Sequence, residues 1–134
     1  LISKKEKYQN SLLQRELISV TKIISLILSI IPLIFLESFI EMFTGNRFDL
    51  FVDFQLKVMV SISLFIGCFA FLWDGVLLGL DKSKEFSLLS ILSATIGFLI
   101  CSYLLIYQNT IETLWVSINV SLAVRAIVGY LYQK

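Results

Sequence analysis

The chain has 134 residues, of which 57% are hydrophobic and 16% charged, with a formal net charge of +1 and a mean hydropathy of +0.88. A soluble domain of this size carries charges along every helix, whereas here the charges collect between long apolar runs, which excludes an ordinary soluble domain. The near-neutral charge gives no basic field that would attract nucleic acid.

Four apolar runs are long enough to cross a bilayer, which takes about 20 mostly apolar residues for roughly 30 Å of hydrocarbon. We predict four transmembrane helices, over residues 17–40, 58–80, 86–107 and 114–131. Pro32, the only proline of the sequence, lies inside the first and could kink it. Because an alternation of period two is nowhere sustained, we expect no strands. The predicted fold class is an all-α, multi-pass membrane protein.

The basic residues favour one side of this predicted membrane. They precede the first span, occupy the loop at 81–85 and follow the last span: Lys4, Lys5, Lys7, Arg15, Lys82, Lys84 and Lys134. The positive-inside rule then places both ends of the chain and this loop in the cytoplasm, with Arg47 and Lys57 as exceptions. We expect a cell membrane, the bacterial inner membrane in particular, with its lipid as a partner.

Small and polar residues recur at helical spacing inside the spans. Such stripes let helix backbones approach closely where lipid provides no hydrophobic drive, so we expect them to pack helices, with the lining of a substrate cavity as the alternative. The candidates for either role are Ser63, Gly67, Ser117 and Ser121, together with Trp73, which lies deeper in its span than an interfacial tryptophan would. The second span also holds a GxxxG pair, Gly75 and Gly79.

One acid and one base lie deep in the apolar runs. Asp74 precedes the end of the second span by about six residues and Arg125 the end of the fourth by about six, so each lies roughly 9 Å inside the same interface. A charge in a membrane span is costly unless it is paired. We predict that Asp74 and Arg125 form an intramembrane ion pair, which is either a static clamp or a gate that breaks and re-forms. Arg125 could instead reach lipid phosphates alone.

Several kinds of chemistry are not supported by the sequence. It has no histidine, which excludes His-based metal sites, triads and proton relays within this segment. Cys68 and Cys101 both fall inside predicted spans, so a disulfide framework is not expected. No phosphate-binding loop and no pairing of a nucleophile with a base is visible. We therefore expect no enzyme, no metal site and no cofactor.

Three segments carry a family resemblance. Residues 71–85 read FLWDGVLLGLDKSKE, 40–46 read IEMFTGN and 122–130 read LAVRAIVGY. The first resembles the tenth helix and following loop of the multidrug and toxic compound extrusion (MATE) transporters, especially their DinF-like branch. The other two are similar to the end of the ninth helix and to the last helix of that family, in the expected order.

The resemblance implies that residues 1–134 are the C-terminal part of the second lobe of a twelve-helix, two-lobe MATE-type transporter, helices nine to twelve. It implies secondary active efflux of small organic compounds in exchange for protons or sodium. The missing N-terminal helices of the same transporter would be the main partner. The coupling acid of this branch lies on the first helix, so the coupling ion would bind outside this segment. A chain that starts at Leu1 fits a piece of a longer protein, although a trimmed initiator would look the same.

Other functions stay open at this point. A lipid-linked oligosaccharide flippase of the same superfamily shares the architecture but often lines its cavity with several basic residues. A four-span multidrug transporter that works as a dimer needs a carboxylate at the centre of its first span, and Glu37 lies too near the end. A four-span membrane scaffold without transport activity would use the ion pair only to hold helices together.

Overall fold

The computed structural model describes residues 4–45, 54–108 and 110–133, which form four α-helices and no strand. The helices are α1 (Lys4–Thr44), α2 (Phe54–Gly79), α3 (Ser83–Tyr107) and α4 (Ile111–Gln133). Each contains a stretch long and apolar enough to cross a membrane. The predicted fold class, an all-α membrane protein with four spans, is confirmed.

Helix α1 is longer than its apolar run. Its 41 residues extend over about 60 Å, roughly twice the thickness of the hydrocarbon. The polar residues at its start are mostly good helix formers without glycine or proline, so the helix continues past the apolar stretch. It also continues through Pro32, which is buried. It ends at Thr44, and the next residue, Gly45, has a φ of 57° that takes the chain out of the helix while its N–H donates to the carbonyl of Glu41.

The connection between α2 and α3 is short and contacts the end of α4. Asp81 adopts a left-handed φ of 58°, and the Lys82 N–H donates to the carbonyl of Leu77, one of the last carbonyls of α2. The Lys82 ammonium donates to the carbonyl of Tyr132 at 3.0 Å. We call the end of the bundle that holds this connection and the C-terminus of α4 the proximal end, and the end that holds Thr44 and Phe54 the distal end.

The described helices pack in the order α1, α2, α4, α3. Helix α2 packs on both α1 and α4, α3 packs mainly on α4, and α1 packs on α2 alone. Helices α2 and α4, which both end at the proximal end, run in the same direction side by side. Burial is concentrated in these seams, which hold the buried apolar residues Leu56, Val60, Ala70, Trp73, Leu77 and Leu89. The remaining faces expose large apolar side chains, as membrane-facing helices do.

Two glycines let α4 approach its neighbours closely. A Cβ atom placed on Gly97 of α3 would lie 2.9 Å from the Cβ of Ser121, and one placed on Gly129 of α4 would lie 2.8 Å from the Cβ of Trp73. Real Cβ atoms do not come this close, so only glycine fits at either position. These contacts fix the position of α4 along its axis relative to α3 and α2.

Candidate functional site

Asp74 of α2 and Arg125 of α4 form an ion pair between the two parallel helices. The Nε atom of Arg125 lies 2.8 Å from Oδ2 and 3.0 Å from Oδ1 of the carboxylate. The Asp74 side chain is 9% exposed and that of Arg125 is 23% exposed. Asp74 precedes the end of α2 by five residues, about 8 Å, so the pair lies inside the candidate span near the proximal end.

The position of Arg125 on α4 lets it contact two helices. At about 100° per residue, Arg125 lies about 80° around the helix from Ser117 and about 120° from Asn119. Ser117 lies on the side that contacts α3, because its carbonyl is 3.6 Å from a Cβ placed on Gly97. Asn119 faces α2, where it hydrogen-bonds Ser63. Arg125 therefore lies between the two faces.

Two residues of α3 also lie against the guanidinium. The Nη2 atom of Arg125 donates to the Oγ of Ser90 at 3.1 Å. The ring of Phe86, one turn earlier on α3, lies with its centroid 5.6 Å from the Cζ atom of Arg125. A cation at this distance is attracted by the aromatic face. Three helices thus meet on one guanidinium.

The electrostatics of this arrangement explain why both charges are tolerated in an apolar span. A buried charge is costly mainly when it lacks a partner, and breaking a buried pair by removing one member costs about 3–5 kcal/mol. Here the carboxylate of Asp74 receives a charge-assisted hydrogen bond, and the cation has two further contacts on α3. While the ion pair is formed, it can hold α2 against α4. If the two helices move apart, the pair can break and leave two separate charges.

A second polar cluster joins α2 and α4 farther from the proximal end. The Nδ2 atom of Asn119 donates to the carbonyl of Met59 at 3.2 Å, and the Oδ1 atom lies 2.8 Å from the Oγ of Ser63. The single hydroxyl proton of Ser63 serves either this oxygen or the carbonyl of Met59, at 3.0 Å. Both polar atoms of the Asn119 amide therefore lie within hydrogen-bond distance of α2, and the Nδ2 bond joins the two helices whichever acceptor the Ser63 proton takes.

The three candidates for cavity lining or packing on α2 all lie at its interface with α4. Ser63 belongs to the cluster just described. Gly67 faces the side chain of Leu122, and Trp73 is buried with its ring 5.5 Å from that of Tyr130. All three therefore contact α4.

The two candidates on α4 lie at its interface with α3. Ser117 is buried, and Ser121 donates to the carbonyl of Ser93 on α3 at 2.8 Å. Both also line an apolar groove of about 360 Å³ between α3 and α4. The two serines thus contribute to helix packing and to the wall of this groove.

The GxxxG pair of α2 does not bring described helices together. A Cβ atom placed on Gly75 or on Gly79 would have no atom within 4 Å. Both glycines line a groove of about 520 Å³ between α1 and α2, which also contains Leu13, Gln14 and Phe71. Close helix approach in the described part of the chain depends instead on glycines of α3 and α4.

A second ion pair lies at the distal end. The Nζ atom of Lys57 is 2.7 Å from the Oε1 of Glu37, whose side chain is 55% exposed. Lys57 is one of the two basic residues that depart from the predicted charge asymmetry, and its charge is balanced by this contact. The other, Arg47, lies outside the described residues.

The sequence identifies the charged pair but not its neighbours. In the sequence, Asn119 is notable only as the first residue of an Asn-Val-Ser glycosylation sequon, which lies inside a predicted span. Its offset of about 200° from Ser117 around the helix nevertheless indicates that α4 has two polar faces. Ser90 is one of several serines on α3, and no sequence signal singles out Phe86. These three contacts depend on the rotation of each helix about its axis.

The described cysteines and acidic residues form neither a disulfide nor a cluster of metal-ligating side chains. Cys68 and Cys101 are free thiols, both half-buried. No three metal-ligating side chains come together among the described residues.

A scan against protein-family models found no match to this chain, and searches of curated proteins and of solved structures found none either.

Proposed function

We propose that this chain is part of a secondary active transporter of MATE type, which exports small organic compounds in exchange for protons or sodium. The observation that carries the proposal is the pair of opposite charges that joins α2 and α4 inside an apolar span. Charged residues within membrane helices commonly mark substrate pathways, proton relays and gates. The segments that resemble MATE transporters include both members of this pair.

The geometry favours a contact that can open. A single guanidinium nitrogen holds the carboxylate, so the pair lacks the two parallel hydrogen bonds of the strongest Arg–carboxylate geometry. The Arg125 side chain keeps 23% of its surface exposed, which gives the charge access to water or lipid phosphate when the pair separates. In the transporter, Asp74 and Arg125 close the proximal side and part as that side opens.

The distribution of charge supports a cytoplasmic proximal end. The start of α1, the α2–α3 connection and the end of α4 lie there, together with Arg15, Lys82 and Lys84. One of the two exceptions to the charge asymmetry, Lys57, forms an ion pair with Glu37 at the distal end. By the positive-inside rule, the proximal end faces the cytoplasm of a cell whose plasma membrane holds the protein.

The decisive experiment is transport by the complete gene product in inverted membrane vesicles. Uptake of an ethidium-type cation is followed by fluorescence while a proton gradient and a sodium gradient are imposed separately. Uptake that either gradient drives supports the antiporter. Uptake indifferent to both gradients refutes it, and no uptake with a correctly folded protein favours the scaffold. Movement of a fluorescent lipid-linked oligosaccharide in the same vesicles would favour the flippase.

A matched pair of variants ties this result to the described site. The double variant Asp74→Asn with Arg125→Gln removes both charges without leaving either alone, and it should reduce gradient-driven uptake at least tenfold. Glu37→Gln with Lys57→Gln removes the distal pair, whose acid is largely exposed, and should leave uptake within about twofold. If both double variants reduced gradient-driven uptake equally, the proximal pair would have no special role in transport.

A further inference from the structure

We propose that Ser90 of α3 is the positioning residue that holds the guanidinium of Arg125 against Asp74. Its Oγ accepts a hydrogen bond from Nη2 of Arg125 at 3.1 Å while Nε of the same guanidinium contacts the carboxylate. An arginine side chain has many rotamers, and a second fixed contact on its planar group selects the one that faces the acid.

The orientation of the Ser90 hydroxyl is set by its own helix. Its proton is donated to the carbonyl of Phe86 at 2.9 Å, so the oxygen lone pairs are left to face Arg125. Ser87, three residues earlier on α3, makes the same kind of bond to the carbonyl of Ser83 at 2.9 Å but is exposed. Ser87 is thus a matched control for the local hydrogen bond.

Phe86 reinforces the same placement. Its ring lies 5.6 Å from the Cζ atom of Arg125, and its carbonyl is the acceptor that orients Ser90. One turn of α3 therefore supplies both an aromatic face and a hydrogen-bond acceptor to the guanidinium. The third group around the guanidinium is the carboxylate of Asp74 on α2.

This contact links helices that otherwise touch little. Helices α2 and α3 pack chiefly through α4 rather than on each other. If α3 moves away from α4, Arg125 loses Ser90 and Phe86 together, and its hold on Asp74 weakens. Ser90 orients Arg125 whether or not the protein transports, but a role for Ser90 in gating rests on the function proposed above.

The test is a mutant cycle on the complete protein in mild detergent, read as the Tm of unfolding. Ser90→Ala is compared in the parent and in an Asp74→Asn, Arg125→Met background, which has no charged pair to position. We expect Ser90→Ala to lower the Tm of the parent by about 2–4 °C. In the neutral background it should lower the Tm no more than Ser87→Ala does. Ser90→Thr keeps the hydroxyl and should keep the parent Tm.

Equal losses in both backgrounds, or a Ser90→Ala variant as stable as the parent, would overturn the positioning role. Uptake in vesicles separates this inference from the transport function. A cycle that behaves as expected in a protein that does not transport leaves the positioning role intact and removes the transporter. Gradient-driven uptake combined with equal Tm losses in both backgrounds would support the transporter and overturn the positioning role.

Discussion

A Cβ atom placed on Gly129 of α4 would lie 2.8 Å from the Cβ of Trp73 on α2, so the backbone of α4 lies close against the residue that precedes Asp74. This approach sets the distance across which Arg125 must reach. Because Trp73 is buried and its ring packs on Tyr130, its Cβ cannot move without shifting α2. This close helix contact and the ion pair are therefore parts of one structural unit.

We expect Gly129→Ala to lower the free energy of unfolding by about 1–3 kcal/mol, because the added methyl overpacks the α2–α4 seam. Gly75→Ala is the control, since a Cβ there has no atom within 4 Å and alanine favours the helix by up to about 1 kcal/mol. Thermal unfolding in detergent measures both. A Gly129→Ala variant as stable as Gly75→Ala would mean that the seam is looser than described.

Charge reversal tests the ion pair directly. Asp74→Arg or Arg125→Asp places two like charges in an apolar span, and we expect each to cost about 3–5 kcal/mol and to reduce the yield of folded protein. The swapped double variant restores opposite charges and should recover a large part of that yield, though not all, because Ser90 then faces a carboxylate. The measurement is the monodisperse fraction after purification. No recovery in the double variant would argue against a direct contact.

The fold could be predicted from the sequence to a large extent, because length and hydropathy alone specify spans. The ends of α2, α3 and α4 differ from the predicted spans by at most four residues. The start of α1 differs more, by thirteen residues, because the polar residues before the apolar run are mostly strong helix formers and continue the helix. Hydropathy locates the membrane part of a helix and not its ends.

The candidate site could be predicted only in part. Asp74 and Arg125 share a depth in the membrane, and recognising that requires no knowledge of helix rotation. Ser90 and Asn119 required that knowledge, because a change of about 100° in either helix would turn the side chain away. The transport function stays a prediction, since it depends on the resemblance and on the physical cost of buried charge.

Asn119 should contribute to the α2–α4 contact independently of the charges. We expect Asn119→Leu to cost about 0.5–2 kcal/mol, the range for interhelical hydrogen bonds in membranes. Ser63→Ala should cost less on its own and little more in the Asn119→Leu background, since the two side chains share one bond. Thermal unfolding of the four proteins of this cycle measures the coupling. Strictly additive losses would contradict the shared bond.

Labelling of introduced cysteines tests which end of the bundle lies in the cytoplasm. Cys68 and Cys101 are first replaced by alanine, because both are half-buried free thiols that could react. Lys84→Cys lies at the proximal end and Glu112→Cys at the distal end of the described helices. A membrane-impermeant maleimide added to intact cells should label Glu112→Cys at least tenfold more than Lys84→Cys, because the positive-inside rule places Lys84 in the cytoplasm.

Inverted vesicles provide the control for this labelling, because there the preference should reverse. A variant that reacts poorly from both sides is shielded rather than misplaced, and labelling after detergent solubilisation identifies that case. If Lys84→Cys reacts first in intact cells, the proximal end is outside. The Asp74–Arg125 pair would then lie near the outer leaflet, and a gate built on it would close the external side of the membrane.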